Sequence, residues 1–174
     1  MKELDLRFYP DPVLRERSDA IESFDDELRE LAEAMVATMR REKGIGLAAP
    51  QVGLTKRLIV ALQMKEPEDV DAEPLVLVNP RVVSTGGELW SYEEGCLSIP
   101  GVSAAVLRPS QVGVEYQGLD GEIHKIVEES MLGRILLHEI DHLDGKLFID
   151  YLSSAQKSLL KSQLKDLASG KRPS

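Results

Sequence analysis

The segment His138-Glu139-Ile140-Asp141-His142 holds the side chains of this chain best suited to chemistry. The stretch around it carries apolar residues at helical spacing, so the two histidines stand one turn apart on one face. Two imidazoles placed in this way can grip a single metal ion. The Glu139 carboxylate, next to the first histidine, can take a proton from a water that the metal has acidified. The pattern is His-Glu-x-x-His, which metal-dependent proteases use, but the third ligand those enzymes supply downstream is missing. The only cysteine, Cys96, lies upstream, in Glu94-Gly95-Cys96-Leu97-Ser98.

Cys96, His138 and His142 together would give a divalent ion three protein ligands and leave one position for water, which is the catalytic rather than the structural arrangement. A thiolate and two neutral imidazoles leave the ion net positive, so it can lower the pKa of bound water toward neutrality. Cys96 has a rival role as a nucleophile with histidine as its base. That role leaves the second histidine and Glu139 without a purpose. His124 sits in a strand-like run between Ile123 and Lys125 and reads as a surface residue. Asp141 reads as a solvated helix position.

The elements that must position these residues are legible in outline. Residues 26–42 place Leu28, Leu31, Ala32, Met35, Val36 and Met39 at helical spacing behind Asp25-Asp26-Glu27, and Gly44 ends that helix. Short strand-like runs follow at 57–64, 75–79, 81–83, 87–92, 102–107, 111–116 and 122–127, bounded by Gly, Pro, Asn or Asp. Leu119-Asp120-Gly121 supplies hairpin chemistry, and 66–74 reads as a surface loop. Residues 129–143 form the second helix, with Gly145 as its stop and Gly133 inside it as a sign of close packing. A last helix spans about 154–168. This order predicts an α+β fold with mostly antiparallel sheets around a central metal-binding helix, an N-terminal helix and a C-terminal helix.

Composition narrows the classes of function. The 174 residues include 21 basic and 30 acidic ones, a net charge of −9, which argues against phosphate-driven nucleic-acid binding. No run approaches the roughly 20 apolar residues of a membrane span. Met1-Lys2-Glu3-Leu4-Asp5 lacks a signal-peptide core. A lone cysteine fits a reducing, cytoplasmic location. One domain over residues 1–168 with a flexible tail at 169–174 is expected.

Gly44-Ile45-Gly46-Leu47-Ala48-Ala49-Pro50-Gln51 reads, by itself, as a helix stop followed by a packed turn. With Glu94-Gly95-Cys96-Leu97-Ser98 and His138-Glu139-Ile140-Asp141-His142-Leu143-Asp144-Gly145 it occurs in the order and rough spacing of the peptide deformylases. The chain resembles that family from Tyr9-Pro10-Asp11-Pro12-Val13-Leu14-Arg15 to Leu147-Phe148. The resemblance implies removal of the formyl group from the N-terminal formyl-methionine of new polypeptides, with release of formate after hydroxide on the metal attacks. It implies Cys96, His138 and His142 as metal ligands and Glu139 as general acid/base. It implies Gln51 (side-chain amide) and Leu97 (backbone N–H) as oxyanion donors. Gly44, Ile45 and Gly46 correspond to an edge that pairs with extended substrate, and Gly95, Met131, Arg134 and Ile135 complete the expected substrate site with His138.

Iron is likewise implied by the resemblance alone: Fe²⁺, one per chain, with Zn²⁺, Ni²⁺ or Co²⁺ as substitutes, whereas ligand type by itself favours zinc. The implied partners are N-formylmethionyl nascent peptides and a transient ribosome contact. Two departures stand out: Leu137, where relatives often have glutamine, and Ser103, where many carry a larger tyrosine or arginine. Arg108-Pro109 matches, and Arg108 is placed to brace the cysteine loop through Glu94. The residues leave two rivals open: a zinc endopeptidase built on His-Glu-x-x-His, and a non-catalytic metal- or ribosome-binding module.

Overall fold

The computed structural model of the protein describes residues 3–173; Met1 and Lys2 of the N-terminal reading and Ser174 of the tail lie outside the described residues. The first helix, α1 (Asp26–Arg41), begins where the Asp25 carboxylate accepts the Leu28 N–H at 3.0 Å. Acid in its first turn and Arg40 and Arg41 in its last suit the helix dipole. Its Leu28, Ala32, Met35 and Met39 are buried against the sheet.

The sheet has five strands, β1 (Gly46–Ala48), β2 (Leu58–Leu62), β3 (Pro74–Cys96), β4 (Ile99–Gln117) and β5 (Ile123–Glu128), in the order β1-β2-β3-β4-β5. Every neighbouring pair is antiparallel. Two expectations are corrected here. The runs 75–79, 81–83 and 87–92 are one strand, as are 102–107 and 111–116. Several residues that suggested breaks fall at register shifts, between Val78 and Arg81 around Pro80 and between Gly86 and Leu89 around Gly87, so the chain bends without leaving the ladder. Asn79, with φ 50°, is held at such a bend by bonds to both backbone groups of Ile21 (2.7 and 2.8 Å). The tract expected to be a packed turn contains β1, which is fully buried and pairs with β2 at the sheet edge.

The central helix is α2 (Met131–Leu143), shorter at its start than expected. Leu132, Ile135, Leu136, Ile140 and Leu143 pack into the core shared with β1, β2 and α1. Gly133 is a close-approach position: a Cβ there would lie 3.1 Å from Val112 Cγ1 and 3.2 Å from the Glu128 carbonyl oxygen. A second core of Leu14, Ile99, Val106, Phe148, Leu152 and Leu167 lies under α3 (Ser154–Ala168). Strand β3 ends at Cys96, and the turn Leu97-Ser98 leads from it into β4. Among the described residues, no helix is long and apolar enough to cross a membrane.

Candidate functional site

Two elements bring the chemistry together: the end of β3 supplies Cys96, and one face of α2 supplies His138 and His142. Their donor atoms all lie within 4.8 Å of one another, and Cys96 Sγ is 3.4 Å from His142 Nε2. His138 is oriented from behind, because its Nδ1 is 2.9 Å from Glu94 Oε1, which leaves Nε2 for the site. Burial would lower the His138 pKa, but bonds to Cys96 and Glu94 outweigh it and raise the value well above the ordinary one. For His142, burial and then the charge of His138 hold the pKa well below the ordinary value, which favours a neutral imidazole with a free lone pair.

Glu94 is the hub of a buried ionic network. It accepts from Arg108 Nε (2.7 Å) and Nη2 (3.0 Å) and from Arg134 Nη1. Burial alone would raise its pKa, yet the bonds from His138 and Arg108 pull it down to about 2. Arg108 reaches on to Asp141 at 3.0 Å, and Tyr151 donates to the same carboxylate oxygen at 2.8 Å. The reading of Asp141 as a solvated helix residue is therefore corrected: it anchors the arginine that holds Glu94. The bracing of the cysteine loop by Arg108 is as expected. Arg134 lines the cleft, but its guanidinium bonds Glu94 and the carbonyls of Trp90 and Val106 and stacks over the Trp90 ring at 4.3 Å. It works here as a brace through Nη1 and Nη2, while its buried Nε has no partner among the described residues.

Glu139 projects from the same helix into a buried position at the cleft. Burial pushes its pKa up to about 7, and its Oε2 has no partner among the described residues. An unpartnered buried carboxylate beside a Cys-His-His set is what a proton carrier needs, because it can hold or release a proton near neutrality. Gly46 makes the space: a Cβ there would fall 2.8 Å from Glu139 Oε1. Gln51 is fully buried, its Oε1 accepts the Ala48 N–H at 2.9 Å, and its Nε2 points to Ser98 Oγ (3.2 Å) and Cys96 Sγ (3.3 Å). The amide is thereby fixed with its donor end toward the site. The Leu97 N–H has no hydrogen-bond partner among the described residues.

These groups open into a cleft of about 730 Å³. Every residue expected at the substrate site, namely Gly44, Ile45, Gly46, Gly95, Met131, Arg134 and Ile135, lines it, as do Gln51, Leu97 and Glu139. The residues missed from sequence are Ser98, which holds the Gln51 amide, and Tyr92 and Phe8 in the cleft wall. Ser98 lies in a recognised segment, but nothing local says that its hydroxyl meets an amide 47 positions away. His124 is exposed as expected, stacked on Tyr116 at 5.3 Å.

The sequence profile of the family described as polypeptide deformylase matches residues 4–158. The chain belongs to the peptide deformylase family. A peptide deformylase of Picosynechococcus is 46% identical over 162 residues, covering 93% of this chain and 84% of that protein. One from Rhizobium meliloti is 47% identical over 151 residues, covering 87% and 86%. A plant peptide deformylase crystal structure superposes with a TM-score of 0.90 at 38% identity, covering 96% of this chain and 90% of that one. A peptide deformylase from Synechococcus elongatus, solved in complex with actinonin, gives a TM-score of 0.84 at 43% identity, covering 93% and 91%. Peptide deformylases hydrolyse the formyl group from N-terminal formyl-methionine in a metal-dependent reaction, and this chain is such an enzyme. The endopeptidase and the non-catalytic module are set aside. The donor set fits a metal, since thiolate and imidazole are ligands of choice for a divalent transition ion and the three donors converge with no fourth protein ligand among the described residues to close the site.

Proposed function

We propose that Cys96, His138 and His142 hold the metal, that Glu139 carries the protons, and that Gln51 and Leu97 receive the oxyanion of the formyl group. The observation that carries this reading is the convergence of three donor atoms within 4.8 Å beside a buried, unpartnered carboxylate at the cleft floor. A bound divalent ion supplies Lewis acidity for water and for the formyl oxygen. Glu139 takes the proton released by the attacking water and returns it to the departing amine, a two-way role suited to its pKa of about 7. Gln51 Nε2 and the Leu97 N–H stabilise negative charge on the formyl oxygen as it develops, and the bond from Ala48 spares Gln51 any reorientation.

The peptide lies along β1. The Ile45 carbonyl accepts the Leu62 N–H at 2.9 Å, so strand alternation turns the Gly46 N–H and C=O away from β2, toward the cleft. Pairing through the main chain tolerates varied sequence beyond the methionine. Ile45, Met131 and Ile135 give the methionine side chain an apolar seat.

The native ion in this reading is Fe²⁺, one per chain, with Zn²⁺, Ni²⁺ or Co²⁺ as substitutes. A cytoplasmic site of action on nascent chains accords with the lone cysteine. A transient ribosome contact is supported by α3, whose Lys157, Lys161 and Lys165 recur every fourth residue along one groove in a chain of net charge −9. Residues 1–168 act as one catalytic domain, with 169–174 as its tail. Metal analysis of anaerobically purified protein, paired with formate release from a formyl-methionyl peptide, tests the proposal. One iron per chain with formate release is expected. Full activity in protein stripped of metal would overturn it.

A further inference from the structure

The segment after α3 takes no part in the chemistry above, yet it packs on two residues of the cleft wall, Phe8 and Gly101. Gly170, with φ 86°, reverses the chain, and the Lys171 N–H donates to the Asp166 carbonyl at 2.9 Å. Arg172 then lays its guanidinium over the Phe8 ring, 3.7 Å from the centroid. Pro173 packs on Gly101: a Cβ at Gly101 would come 2.8 Å from Pro173 Cγ, and the φ of +77° there also favours glycine. Gln163 of α3 donates to the Gly101 carbonyl at 3.3 Å, so the helix and the segment after it hold the same turn.

Phe8 and Gly101 both line the cleft. The Phe8 wall is tied to the reacting centre on either side, since the Arg7 N–H donates to the Gln51 carbonyl (2.7 Å) and the Tyr9 N–H to the Ser98 carbonyl (2.8 Å). Arg172 and Pro173 are themselves exposed, so the guanidinium is covered on one face only. Of the acidic groups on the cleft wall, Glu42 accepts from Arg41 Nε at 2.8 Å and Glu93 from Ser103 Oγ at 3.1 Å, which leaves cations, Arg172 and the cleft-lining Lys43, to meet an incoming acidic group. A fork of N–H donors resting on the ring of a wall residue is matched by a carboxylate.

We propose that Arg172 and Pro173 form part of the peptide-binding rim, and that Arg172 favours formyl-methionyl peptides carrying an acidic side chain downstream of the methionine. This rests on the deformylase reading and on a peptide extended along β1. The interaction is made equally in ground and transition states, so it acts on KM rather than kcat. Its exposure limits it to a few-fold effect that salt weakens.

The test is steady-state formate release by the full chain and by R172Q, with formyl-methionyl tripeptides differing only in Asp, Asn or Lys at the last position. The wild type is expected to show a KM about three- to fivefold lower for the Asp than for the Asn peptide, as an exposed ion pair gives. That ratio should fall to about one in R172Q and in high salt. Equal KM values for Asp and Asn in the wild type overturn the proposal. So does a preference for Lys, which would mean that Glu42 and Glu93 dominate the rim. A change in R172Q by one common factor for all three peptides overturns it too, since that is the mark of a structural prop. If the wild type releases no formate from formyl-Met-Ala either, the deformylase reading itself fails, which is a separate result.

Discussion

Replacing Gly46 with alanine places a methyl group where Glu139 already lies. The new carbon would stand 2.8 Å from Glu139 Oε1, 2.8 Å from Ile135 Cγ2 and 3.0 Å from Glu139 Cγ. Carbon contacts settle near 3.5–4.0 Å, so the carboxylate must retreat by about 0.7 Å or more. The backbone itself accepts alanine, because Gly46 is not among the positive-φ positions. A gain of about 0.4–1 kcal/mol from a stiffer unfolded chain therefore offsets part of an overpacking cost of about 1–3 kcal/mol. The net loss of about 1–2 kcal/mol should lower Tm by roughly 2–8 °C in a chain of this size. The chemistry suffers more: an error approaching 1 Å in a catalytic group costs about a hundredfold in rate. The assay is formate release per metal-loaded chain, with Tm and metal content measured on the same sample. G46A does not touch Cys96, His138 or His142, so metal content should stay at the wild-type level while kcat falls about a hundredfold. A folded, metal-loaded G46A with wild-type turnover would refute the claim that Gly46 sets the position of Glu139 for catalysis.

Other perturbations separate the remaining parts of the site. Q51A should lower kcat by about 10²–10³-fold, the usual loss of one oxyanion donor, while KM changes little; a loss confined to KM would place Gln51 in binding instead. R108M leaves the Glu94 and Asp141 carboxylates without their shared cation and should cost about 3–5 kcal/mol by denaturant unfolding. With Glu94 no longer fixed behind His138, it should also weaken metal binding about 10–100-fold, and retained affinity would make the network a prop for stability alone. Asp150 is a case for pH. Burial would raise its pKa, but the bonds from Arg15 and the Leu147 N–H lower it below the usual carboxylate value. A depressed folded pKa gives stability that is present above the unfolded value and is lost as pH falls through the folded one. Between roughly pH 5 and 3 the wild type should thus lose slightly more stability than D150N, by an amount kept small by exposure. Parallel acid limbs would contradict it.

Much of the site was legible because its ligands are local in sequence. His138, Glu139 and His142 share one helical turn and a half, so spacing alone predicts their common face. Cys96 was reachable as the chain's only cysteine once the two histidines needed a third ligand, whereas Gln51 was reachable only through the family resemblance, since no periodicity links it to α2. The ionic network was half legible. Arg108 with Glu94 was expected, but Asp141 looked like any polar residue on a helix, and its partners Arg108 and Tyr151 lie 33 and 10 positions away. The same limit applies to the strands. Gly87 and Pro80 are turn residues by composition, and whether such residues end a strand or bulge it depends on a partner strand that local sequence does not reveal. Strand β1 was hidden for a related reason, because its small residues, Gly46 and Ala48, answer to the tight space beside Glu139 and Gln51 rather than to strand propensity.

The central claim is that Glu139, buried and unpartnered beside the Cys96-His138-His142 donors, moves the protons of the reaction without being a metal ligand. E139Q keeps the shape and removes the exchangeable proton. Formate release and metal content of that variant, measured together against the wild type, test the claim most directly. Unchanged metal content with turnover reduced by about 10²–10⁴-fold is the expected result. Wild-type-like formate release from metal-loaded E139Q would contradict the account, and loss of the metal would recast Glu139 as a ligand.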